Sequence, residues 1–107
     1  MFSKHINKII VPYIRNYFEN NGIEYTEKKE LINPSEFYFH DANYYKYTVN
    51  NEYSIQFKIK EVSYMIYGDF ELVIDVENHL LTITDNKLNV ILALDTLHLY
   101  VDEFELV

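Results

Sequence analysis

The histidines, serines and carboxylates are the first residues to test for chemistry. His40–Asp41 could supply half of an acid–base pair, but nothing nearby completes it, and the pair reads as a loop histidine beside a turn aspartate. His5, His79 and His98 stand in no zinc-ligand spacing, and no HExxH occurs. Ser3, Ser35, Ser54 and Ser63 lack the flanking glycines of a nucleophile elbow. With only 2 Gly and no Cys, the chain has neither a phosphate-cradling loop nor a thiolate ligand. Glu71/Asp75 and Asp102/Glu105 could bind a cation, yet acids alternating with apolar residues mark the solvent face of a strand. The sequence therefore predicts no catalytic residue, no metal and no cofactor, and the chain is not expected to be an enzyme.

Charge placement is more informative. Residues 1–60 carry a net charge of +1, and residues 61–107 carry −9, which together make the −8 of the chain. Such a surface repels phosphate backbones, so direct nucleic-acid binding is not expected. Clustered carboxylates suit docking on a basic protein, and the residues placed on that face are Asp69, Glu71, Asp75, Glu77, Asp95, Asp102, Glu103 and Glu105. There are 11 Tyr, and "FYFHDANYYKY" gathers aromatics over residues 37–47. The segment offers only Lys46 as a cation. Packing in a sheet, or a protein interface, suits it better than stacking on bases.

These residues must be carried by elements. Apolar residues at Phe2, Ile6, Ile9, Ile10, Tyr13, Ile14 and Tyr17 predict a helix over residues 3–20 within an N-terminal unit, 1–22. Ser3 would cap it, Gly22 with Ile23 would close it, and Pro12 should kink or break it near Val11. Residues 23–29 suit an edge strand, and "NPSE" at 33–36 a turn. From residue 43 to 101 the period is two, which predicts an antiparallel meander. A three-residue loop at 49–51 would pair Tyr47 with Tyr53, and one around Lys60 would pair Ile55 with Met65. Turns at Gly68–Asp69, Glu77–Asn78, Asp85–Asn86 and Asp95–Thr96 would continue it. Residues 88–107 then form strands in preference to a helix.

One apolar face would run through seven strands: Tyr45, Tyr47, Tyr53, Ile55, Phe57, Met65, Tyr67, Phe70, Leu72, Ile74, Leu81, Ile83, Leu88, Val90, Leu92, Leu94, Leu97, Leu99 and Val101. Seven strands span about 29 Å. One helix, about 10–12 Å wide, cannot cover that. The expected fold is thus α+β and β-rich, a single domain over 1–107 whose N-terminal helix precedes a strongly curved or barrel-like meander. Tyr64, Ile66, Val73 and Tyr100 fall on the opposite face, with Leu80 and Ile91, and predict a dimer or partner contact through the first four.

By function, the sequence predicts a small acidic, non-enzymatic protein-interaction module. Its partner would be a larger basic protein, in the manner of a phage- or mobile-element-type inhibitor covering a nucleic-acid-binding surface. The coding bias towards Asn, Ile, Tyr and Lys suits such an origin. A curved-sheet protein binding a small ligand, or a self-associating homodimer, is the alternative. No apolar run is long enough to span a membrane and no signal-peptide pattern opens the chain, so a soluble cytoplasmic protein without a membrane partner is expected.

Overall fold

The computed structural model describes residues 6–30, 44–96 and 103–106. A π-helical turn, Ile6–Ile10, leads into helix α1, Val11–Asn20. Pro12 explains the change of geometry. It has no N–H, and its ring clashes with the carbonyl four residues back. The chain widens before it and restarts as an α-helix with Pro12 in the first turn, where no donor is needed. Ile6, Ile10, Val11, Ile14 and Phe18 are buried along one stripe. The helix ends in a Schellman motif. Ile23 N–H donates to Phe18 O (2.9 Å) and Gly22 N–H to Glu19 O (3.3 Å), with Gly22 at φ +65°.

Among the described residues eight strands follow: β1 Tyr25–Glu30, β2 Tyr44–Val49, β3 Ser54–Ile59, β4 Val62–Tyr67, β5 Phe70–Asp75, β6 Leu80–Asp85, β7 Val90–Asp95 and β8 Phe104–Leu106. All pair antiparallel, in a five-stranded sheet ordered β1-β2-β5-β6-β7 and a three-stranded sheet ordered β4-β3-β8. The chain is α+β and β-rich, as the periodicity predicts. It is not one curled meander, because neither sheet closes or curls strongly.

The difference arises at one corner. β2 pairs with β5, not with β3, and β4 does not pair with β5. Residues 44–59 and 62–75 make one long ribbon, with Val49 opposite Phe70 and Ser54 opposite Tyr67. Between those pairs four residues of one strand face two of the other, and such an excess bends a ribbon sharply. Asn50–Asn51 and Gly68–Asp69, which look like hairpin turns, are this corner. Asn51 N–H donates to Asp69 Oδ1 (2.8 Å), Gly68 N–H to Tyr53 O (3.4 Å), and the Asn51 side-chain amide to Tyr53 O. The tip of the ribbon thereby enters the second sheet. Phe57 from the tip meets Phe70 from the base edge-to-face at 5.7 Å, and Phe104 at 6.2 Å. The apolar face too wide for one helix is covered by folding the ribbon, so no curling is required.

Two more registers differ from expectation. Lys60 and Glu61 both have positive φ (48° and 69°), as a two-residue type I′ turn requires, and Ile59 faces Val62. That is one residue off the expected register, so β4 turns over. Ile66 is buried and Tyr64 packs on the core, while Met65 and Tyr67 are 46% and 74% exposed. At β6–β7 the partner of Ile83 is Leu92, not Leu88. The Asp85 carboxylate accepts the N–H groups of Lys87 and Asn89, each at 2.9 Å, and so holds a wider loop over 86–89. Leu88 in that loop is 81% exposed, and Val90 is exposed too. Tyr53, at the corner, is likewise exposed. The β5–β6 register is as expected, with Ile74 opposite Leu81 and Leu72 opposite Ile83. Within 88–107 the described elements are the strands Val90–Asp95 and Phe104–Leu106. Ser3, the turn at 33–36, His40–Asp41 and the strand expected at 97–101 lie outside the described residues.

Candidate interaction surfaces

The outer face of the five-stranded sheet is built from alternate residues, read across the ladders. One row runs Thr26, Thr48, Glu71, Thr84, Val90; the next Lys28, Lys46, Val73, Thr82, Ala93; the last Glu30, Tyr44, Asp75, Leu80, Asp95. The last row gathers Glu30, Asp75 and Asp95, with Glu77 in the adjoining 76–79 turn. Neighbouring strands lie about 4.8 Å apart, so these carboxylates repeat at roughly 10 Å along one end of the sheet. The other expected docking acids are dispersed. Asp69 is at the ribbon corner. Glu71 pairs with Lys46 at 3.3 Å. Glu105 belongs to the three-stranded sheet, directly opposite Lys58, and Glu103 immediately precedes its strand β8. Asp102 lies outside the described residues.

Several of these acids also hold the fold. Asp75 accepts from Asn78 N–H (3.1 Å) and its side-chain amide (2.8 Å) across the β5–β6 turn. Asp85 does the same for its own loop, and the Asn89 backbone bond holds its carboxyl below the usual range. The face expected from Tyr64, Ile66, Val73 and Tyr100 is not one surface. Ile66 and Tyr64 point inward after the register change, Val73 alone lies on the outer face of the large sheet, and Tyr100 is outside the described residues. The tyrosine-rich segment divides too: Tyr45 and Tyr47 are in the core, and Tyr44 is half-buried on the outer face.

One polar group on the inner side was not legible from spacing. Arg15 on α1 makes a two-pronged ion pair with Glu27 on β1, Nε donating to Oε2 at 2.6 Å and the second prong from Nη2 to Oε1. The buried Tyr47 ring lies beside it. Burial drives the Glu27 carboxyl up, but the hydrogen bond and charge of Arg15, aided by Tyr47, outweigh that and hold it below the usual range. The same contact raises Arg15. Burial first, then the Glu27 charge, pushes the Tyr47 phenol far up. A twelve-residue separation with no repeat gives no sequence signal, so only the docking of α1 on β1 reveals it. It clamps helix to sheet, with Phe18 against Tyr47 (5.9 Å) and Tyr25 (5.1 Å) at its side.

Surface depressions are open and shallow. The most charged is lined by Lys58, Lys60, Glu61, Glu103 and Glu105. Among the described residues, no group of three or more His, Asp or Glu is placed to hold a metal ion, and no helix is long and apolar enough to cross a membrane. Comparison with protein-family models, curated proteins and solved structures returned no match.

Proposed function

We propose that this chain is a non-enzymatic protein-interaction module that docks through carboxylates on a basic surface of a larger protein. The observation that supports the reading is the convergence of Glu30, Asp75, Glu77 and Asp95 at one end of the five-stranded sheet, from three separate stretches of chain. Carboxylates held on a sheet are positioned by its backbone, and a row of them can take up positions that phosphates occupy on a nucleic-acid-binding face. Binding there would inhibit by occupation. The net charge of −8 adds long-range steering, which is screened beyond about 8–10 Å at physiological ionic strength.

The test is association kinetics against a panel of purified basic nucleic-acid-binding domains, at low and high salt. A binder should associate roughly tenfold or more slowly at high salt, and the Glu77→Lys, Asp95→Lys double variant should slow association similarly while leaving thermal stability unchanged. A panel with no binder, or binding indifferent to both salt and the double variant, overturns the reading.

A further inference from the structure

Edge strands normally carry protection against pairing with foreign strands: charge, proline, a bulge or extreme shortness. Among the described residues, three of the four sheet edges have it. β1 reads "YTEKKE", β7 carries a bulge, with Ile91 extra between the Thr84–Val90 and Ile83–Leu92 pairs, and ends in Asp95, and β8 has three residues. β4 is the exception. It reads "VSYMIY", with no charge, no proline, no glycine and an unbroken register. Among the described residues only β3 pairs with it.

Its backbone orientation follows from the turn. In a two-residue type I′ turn the N–H of Val62 bonds back to Ile59. The Gly68 N–H donating to Tyr53 O carries the same alternation past the other end of the strand. Val62, Tyr64 and Ile66 therefore spend their backbone groups on β3, and Ser63, Met65 and Tyr67 turn theirs outward. The exposed Met65 and Tyr67 side chains stand on the outer face of that edge.

The charges around the edge select an occupant. Lys58 stands between Ser63 of β4 and Glu105 of β8, and Lys58 and Lys60 share one depression with three carboxylates, Glu61, Glu103 and Glu105, which outnumber them. Glu61 immediately precedes β4, and Asp69 follows it after Gly68. A neutral strand bracketed by two carboxylates fits an apolar strand bracketed by cations. A second copy fits worse. Pairing about a two-fold axis through Met65 would use all three outward residues, but it would set Glu61 of each copy against Asp69 of the other, between molecules of charge −8.

The geometry points to β4 as a strand-addition site for an extended partner segment with an alternating apolar centre and Lys or Arg at both ends. Main-chain bonds to Ser63, Met65 and Tyr67 supply the pairing, Met65 and Tyr67 give the apolar contact, and Glu61 and Asp69 read the flanking cations. The inference rests on the interaction-module reading but uses none of the acidic row, so Glu77→Lys, Asp95→Lys leaves it intact, and the two can fail separately.

Capped peptides of alternating Thr and Val, flanked by Lys, by Glu, or by Lys with a central Pro, test it by titration and amide hydrogen exchange. The Lys-flanked peptide should bind about tenfold or more tightly than the other two and should newly protect the amides of Ser63, Met65 and Tyr67. Met65→Pro removes one outward N–H where an edge strand tolerates proline, and should abolish binding with the β3–β4 amides still protected. Glu61→Lys should reduce the preference for Lys flanks over Glu flanks. The proposal is overturned by equal binding of Lys- and Glu-flanked peptides, by no binding at all, or by full binding to Met65→Pro. It is also overturned if the free chain dimerises with those three amides protected, since a second copy would then hold the edge.

Discussion

At the residue scale, the Arg15–Glu27–Tyr47 group ties stability to pH at both ends. Glu27 titrates below its ordinary value in the folded chain. Its contribution is therefore present above the unfolded value, about 4.3, and is lost as pH falls through the folded one. Glu27→Gln should flatten the acid limb of a plot of denaturation midpoint against pH, and Glu27→Ala should cost about 1–2 kcal/mol at neutral pH by chemical denaturation. Tyr47 titrates above its ordinary value. Its neutral form is the one the fold holds, so stability is intact below about pH 10 and declines as pH rises towards the folded value. Tyr47→Phe should remove that alkaline decline. If both variants track the parent across the whole range, the group is not coupled to folding.

At the element scale, turns decide which face each strand shows. Lys60 and Glu61 occupy left-handed backbone, at a cost of about 1–2 kcal/mol each for residues with a side chain. Lys60→Asn with Glu61→Gly supplies the residues a type I′ turn prefers, and should raise stability by about 1 kcal/mol without changing the β3–β4 register. Loss of stability, or altered cross-strand contacts between β3 and β4 by NMR, would show that the turn is of another kind. At the helix end, Gly22 has φ +65° and nothing within 4 Å of an added Cβ. Gly22→Ala therefore meets no clash and pays only the left-handed backbone, about 1 kcal/mol, or roughly 4–8 °C in melting temperature for a domain of this size. A much larger loss would mean that the site is crowded. The helix end was legible because Gly followed by an apolar residue marks a Schellman motif, and residues 18–23 provide all of its hydrogen bonds. The β4 face was not, because Lys-Glu carries no turn signal and a slip of one residue inverts every side chain.

For the whole molecule, the two sheets share one core through Phe57. Phe57→Ala removes contacts to Phe70 and Phe104 at once, and should cost about 3–5 kcal/mol, a large part of the stability of a small domain. Denaturant unfolding should keep a single transition shifted to lower concentration. A second transition would show that the sheets unfold separately. Reversal of Glu77 and Asp95 should leave that transition in place, since exposed charge changes usually move stability by less than about 0.5 kcal/mol.

What the sequence by itself determined is local: the amphipathic helix and its glycine stop, the edge character of β1, the alternation of β2 to β6, and the β5–β6 register. Each depends on residues within a few positions of one another. Burial of Tyr45, Tyr47, Phe57, Phe70, Leu72, Ile74, Leu81 and Ile83 also followed, because period and apolarity together specify a face. Which acids share a surface was beyond that reading. Asp75 and Asp95 fall in one row because β6 lies between their strands, and Glu103 and Glu105 are elsewhere because the ribbon turns a corner at Asn51 and Asp69. Tertiary structure alone decided these points. Two segments that both look like turns differ only in whether their strands pair with each other or with more distant ones, and that choice is made by the core that Phe57, Phe70 and Phe104 close between the sheets.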